Sequence, residues 1–135
     1  MLIAGLVLAA LAALLHVYIF WMESIAWEGP AARKTFGIAS DEEAATTKSL
    51  AFNQGFYNLF LAITALAGVV VTFAAAAGGA AHAVGVTLTL AGTGSMLAAA
   101  LVLLLSSREH RGAALKQGAL PFLAVLATAI GAAIA

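Results

Sequence analysis

From Leu2 to Met22 the chain carries no charged side chain, and Leu, Ala, Val and Ile dominate the run. A bilayer core about 30 Å thick is crossed by roughly 20 apolar residues, each rising about 1.5 Å along an α-helix. Hydrocarbon offers the backbone no other partner, so the helix must pair its own amides. The remainder of the chain repeats the pattern: of 135 residues, 64% are hydrophobic and 9% charged, with a mean hydropathy of +1.06. A water-soluble domain carries roughly 25% charged residues. Four spans would occupy about 80 to 90 residues, which leaves only short loops. The expected fold is therefore all-α: one polytopic membrane domain over residues 1–135, a four-transmembrane-helix bundle with no room for a second, soluble domain.

A cleaved export leader is the competing reading of the first run. The segment lacks a basic stretch ahead of its apolar part, and Tyr18, Phe20 and Trp21 stand where small cleavage-site residues belong. The run is better read as span 2–22, with Tyr18, Trp21 and Trp27 suited to a membrane–water interface. Most of the charge lies in the loop 23–48, where Gly29-Pro30 signals a turn. Near its end, Ser40-Asp41-Glu42-Glu43 has the form of a capping box and predicts a helix start. Ser49 to Ala81 is then free of charge, too long for one perpendicular crossing, so the first turns should stand outside the hydrocarbon and the span itself should cover 53–76. Gly78-Gly79 closes it, and a tight turn at His82 leads to a third span, 84–106, which must run antiparallel to the second. A polar loop with Arg108, Glu109, His110, Arg111 and Lys116 precedes the fourth span, 117–135, whose Pro121 sits in the first turns where a missing amide costs little.

All six basic residues fall in the first and third loops: Arg33, Lys34 and Lys48, then Arg108, Arg111 and Lys116. Because Lys and Arg in short loops are retained in the cytoplasm, loop 23–48 should be cytoplasmic and both termini non-cytoplasmic, in a multi-pass protein of the cell inner membrane. Six acidic residues balance the six basic ones, which argues against a nucleic-acid partner. The absence of Cys excludes disulfides and thiolate chemistry.

Polar side chains inside spans are costly and usually turn toward the bundle interior. His16 and Glu23 are seven apart, nearly two helical turns, and so share a face. Asn53, Gln54, Tyr57 and Asn58 fall at about 0°, 100°, 40° and 140° when each residue advances about 100°, forming one stripe. Gln117 opens the fourth span at the same depth. Each has a plain alternative: Glu23 could pair with Lys48 or Arg33, and Asn and Gln often glue helices together at about 0.6 kcal/mol per contact. Glue alone does not require an acid and an imidazole on one face. Convergence into a polar cavity is therefore expected, with His16 and Glu23 as candidate catalytic groups and Asn53, Gln54, Tyr57, Asn58 and Gln117 as candidate ligand-binding groups. On the third span Gly85, Thr89 and Thr93, supplemented by Gly92, Gly94, Ser95 and Ala98, make a small-residue face for close helix contact, within the chain or with a second copy. No nucleotide loop, zinc-protease motif or nucleophile elbow is present, and neither a cofactor nor a metal site is expected.

The segment Phe52-Asn53-Gln54-Gly55-Phe56-Tyr57-Asn58-Leu59-Phe60-Leu61-Ala62 carries an Asn-Gln-Gly-x-Tyr-Asn run followed by Phe-Leu-Ala. With His16-Val17-Tyr18-Ile19, Met22-Glu23, Phe36-Gly37 and Gln117-Gly118 with Pro121, it resembles the small bacterial integral membrane family catalogued as domain of unknown function 1304. Ser24 departs from the Met common there. The resemblance implies a compact four-helix membrane protein and no particular reaction. Three functions fit the sequence: binding or transforming a lipid or other hydrophobic small molecule in a cytoplasm-facing polar pocket, a small dimeric transporter, or a structural or accessory membrane subunit, with homo-oligomers forming through the third span.

Overall fold

The computed structural model describes residues 1–134. Five α-helices and one π-helical turn account for the elements, and no strand occurs among the described residues: α1 (Leu2–Phe20), the π segment (Trp21–Ile25), α2 (Pro30–Phe36), α3 (Asp41–Ala74), α4 (Ala80–Ser106) and α5 (Arg111–Ala133). Four of them are long and apolar enough to cross a membrane. They form an antiparallel ring in the order α1, α3, α4, α5, closed by contact between α5 and α1.

Small residues set the spacing within this ring. Ala12, Ala13, Ala62, Ala65 and Met96 form its centre, and Leu6, Ala9, Val69 and Ala124 continue it toward the termini. Helices in lipid gain little from hiding large apolar groups, so they associate where small side chains permit close backbone approach. A methyl group at Gly85 would lie 2.5 Å from the Thr72 amide, and one at Gly92 would lie 2.7 Å from that of Ala65. The buried threonines between the same two helices return their hydroxyls to their own helix, Thr72 to Gly68 O at 2.8 Å, Thr89 to Gly85 O at 3.0 Å and Thr93 to Thr89 O at 2.7 Å. Large apolar side chains face outward instead, with Leu105 80% exposed. In water that arrangement would be an aggregation surface; in a bilayer it is the solvated face.

The small-residue face of α4 is thus largely consumed inside the chain, against α3. Its outward remainder, Gly94, Ser95 and Ala98, stays unpacked.

At the charged end, α3 begins with the Ser40 hydroxyl accepting from Glu43 N at 3.1 Å. The Glu43 carboxylate accepts from Ala39 N at 2.8 Å, one residue outside the N-cap amide that a capping box uses. With 34 residues, α3 is about 50 Å long at about 1.5 Å per residue, well beyond one hydrocarbon thickness. The stretch read as loop 23–48 is more ordered than its charge density suggests. Gly29-Pro30 starts α2 rather than making a simple turn, because the fixed φ of Pro suits the first helical position. Gly37, at φ 73°, ends α2 in the left-handed conformation that helix termini favour. Ile19, Met22 and Ala32 then pack α2 against the end of α1.

Candidate functional site

The last turn of the first span is a π-helix, with Ala26 N donating to Trp21 O at 2.9 Å. Such turns carry one residue more than an α-turn and are frequent at functional sites. Glu23 lies within this one, 7% exposed. Gly55 brings α3 against it: a methyl group on Gly55 would collide with Ser24 Oγ and lie 3.1 Å from both Glu23 Cβ and Phe20 O. One turn further along α3, Asn58 Nδ2 donates to Glu23 Oε2 at 2.8 Å. Ser24 Oγ donates to Phe52 O at 2.8 Å, and the rings of Phe20 and Phe56 meet edge to face at 5.1 Å. The junction of α1 and α3 is pinned on both sides of the carboxyl.

Glu23 and Asn58 form part of the floor of a groove of about 600 Å³ between α3 and α4. Toward the termini these helices are clamped at Gly68, Gly85 and Gly92; toward the charged end they splay apart. Gln54, Tyr57 and Asn58 line one wall, Ala99, Val102 and Leu103 the other, and Gln117 reaches in from α5. Trp27 and Phe36, in contact at 5.2 Å, border it on the side of loop 23–48, where Trp27 Nε1 donates to Thr47 Oγ1 at 3.1 Å. His110 stands at the rim, its Nδ1 2.8 Å from Ser107 Oγ. Mostly apolar walls around a few convergent polar groups are the usual make-up of a small-molecule site.

Five of the seven candidate residues, Glu23, Gln54, Tyr57, Asn58 and Gln117, meet at this groove. The other two do not, and the expectation of one seven-membered cluster is corrected accordingly. His16, 2% exposed, turns its Nδ1–H to Ala12 O at 2.9 Å inside the bundle. Seven residues of helix put it about 10 Å from Glu23 along the axis. Asn53 is exposed on the outer surface of α3. Glu23 also pairs with neither Lys48 nor Arg33: Lys48 binds Glu28 at 2.5 Å, and Arg33 binds Asp41. Among the described residues no three His, Asp or Glu side chains gather where they could hold a metal.

Trp27, Phe36 and His110 are groove residues that sequence reasoning left out of the site. Trp27 had the signal of an interfacial aromatic, and Phe36 appeared only as part of the resemblance. For His110 the sole signal was Ser107 three residues before it.

No curated protein and no solved structure matches the chain. A family model described as Protein of unknown function (DUF1304) matches residues 10–129, a range that reaches into all four long helices and contains every polar group of the groove. The chain belongs to this family, DUF1304.

Proposed function

We propose that this membrane protein binds a hydrophobic or lipid-like small molecule in the groove between α3 and α4. The observation that carries the reading is the gathering of Glu23, Gln54, Asn58 and Gln117 along one groove; its volume of about 600 Å³, like the 380 Å³ of the cavity beside α1 and α5, is inside the range of roughly 300 to 1,000 Å³ usual for small-molecule sites. Its walls are apolar, and Glu23, Asn58, Gln54 and Gln117 supply the groups that would orient a ligand. Tyr57 and Val102, each 66% exposed, stand at its lipid-facing rim, so a ligand dissolved in the bilayer has a lateral way in. His16 is buried in the bundle with its Nδ1–H on Ala12 O, about 10 Å from Glu23 along the axis, which supports binding over catalysis. The accessory-subunit reading loses its motivating feature, since most of the small-residue face of α4 packs within the chain.

Thermal unfolding of the full chain in mild detergent, screened against lipids and hydrophobic metabolites, tests the proposal. A ligand at about 100 times its Kd stabilises a folded protein by about 2.7 kcal/mol, enough for a clear shift in Tm. Ala99→Trp, placed on the exposed groove wall, is expected to abolish the shift. A well-folded sample stabilised by no compound, or a shift that survives Ala99→Trp, overturns the reading.

A further inference from the structure

Glu23 is the only Asp, Glu, Lys or Arg side chain lining the groove. Its one hydrogen-bond donor among the described residues is the neutral amide of Asn58. Of the basic side chains at this end, Arg33 pairs with Asp41, Lys48 with Glu28 and Arg111 Nε donates to Leu104 O at 3.3 Å, while the exposed Arg108 lies outside the groove lining. Lys34 and Lys116 line a separate cavity beside α1 and α5. An ionised carboxyl taken out of water beside a neutral partner is costly, and the cost falls when a cation meets it. Glu23 lines the groove, and Trp27, Tyr57 and Phe36 border the same space. Aromatic faces attract cations that are poorly hydrated, organic ammonium groups above all.

From this juxtaposition we infer that the occupant of the groove is an organic cation, an amine or quaternary onium group carried on an apolar body. The onium group sits against Glu23 between the aromatic rings, and the apolar body lies along Leu61, Val102 and Leu103. The inference rests on the groove being a ligand site and adds the charge of the ligand. It also disfavours a phosphate-bearing headgroup, because among the described residues no Lys or Arg lines the groove, His110 stands only at its rim, and Glu23 would repel a phosphate.

Equilibrium dialysis of the detergent-solubilised full chain against tetraphenylphosphonium, and against its anionic isostere tetraphenylborate, isolates the charge from the shape. Ala99→Trp serves as the blank for uptake into the micelle. Tetraphenylphosphonium is expected to bind saturably and at least tenfold more tightly than tetraphenylborate, and Glu23→Gln, which keeps the shape and an acceptor for Asn58, to erase that preference. Tyr57→Leu, at an exposed position, is expected to weaken the cation several-fold, and with the two isosteres on the unaltered chain it carries the test should Glu23→Gln fail to fold. Dodecyltrimethylammonium is expected to compete and dodecylphosphocholine to compete poorly. Equal competition by the two overturns the discrimination against phosphate headgroups and with it the ligand class named above. Equal binding of the two tetraphenyl ions, both blocked by Ala99→Trp, overturns the inference and leaves the groove a ligand site. Binding of either ion unaffected by Ala99→Trp removes the groove reading as well.

Discussion

At the scale of single residues, the contact between Glu23 and Asn58 depends on a residue that has no side chain. Gly55 lets α3 approach the π segment until Asn58 reaches the carboxyl, and any side chain there meets Ser24, Glu23 and Phe20. Gly55→Ala should therefore separate the two helices and destabilise the fold by about 1 to 3 kcal/mol, the usual cost of overpacking, measured by unfolding in mixed micelles. Asn58→Leu should cost a similar amount, about 1 to 3 kcal/mol, by leaving a buried acceptor without its donor. If Asn58→Leu is neutral, the pair does not hold the junction together. Which residues reach the groove was half legible in the sequence. On a wheel of about 100° per residue, Asn58 and Gln54 lie at one edge of the polar stripe, about 140° and 100°, and Asn53 lies at the other, at about 0°. The groove takes the first edge and the exposed outer surface of α3 the second. Periodicity gives the stripe but not which edge the neighbouring helix covers. For His16, a shared helix face gave direction without depth, and depth along the axis is what separates it from Glu23.

At the scale of elements, the start of α3 was legible because its signal is local: Ser40 and Glu43 satisfy amides within a few residues of themselves. Ser40→Ala should cost about 1 kcal/mol and fray the first turns, which the buried Ala44 and the Asp41–Arg33, Thr47–Trp27 and Lys48–Glu28 contacts keep tied to the rest of the chain. Hydrogen exchange should rise over residues 41–47 and stay unchanged beyond Asn53; a rise that spreads into the span would show that the cap stabilises the groove as well. Helix α2 and the π turn were not legible. In α2, Arg33 and Lys34 made a seven-residue helix resemble a solvated loop, and its order comes from Ala32 packing under Ile19 and Met22, contacts distant in sequence. A π turn has no compositional mark, because its extra residue is accommodated by what the segment packs against, here Gly55 and Phe56 on α3.

At the scale of the whole molecule, the antiparallel ring brings the end of α1, all of α2, and the starts of α3 and α5 to one end, with the last turns of α4. Every Lys and Arg in the sequence lies there: Arg33, Lys34, Lys48, Arg108, Arg111 and Lys116. The opposite end carries the turn between α3 and α4, Ala75 to Gly79, the start of α1 and the end of α5, with no charged side chain among the described residues. Basic residues in short loops resist translocation while uncharged turns cross readily, so from the asymmetry of six against none we propose one orientation, with the basic end in the cytoplasm. In that orientation Glu23, Trp27 and His110, which all lie toward the basic end, put the groove on the cytoplasmic side. The chain contains no Cys, so single cysteines give an unambiguous readout. In intact cells, with the outer barrier permeabilised, Gly79→Cys should react with a membrane-impermeant maleimide, and Lys34→Cys should react only after the inner membrane is disrupted. Reaction of both in intact membranes would mean dual orientation, and the reverse pattern would place the groove mouth on the outer face; either result defeats the assignment.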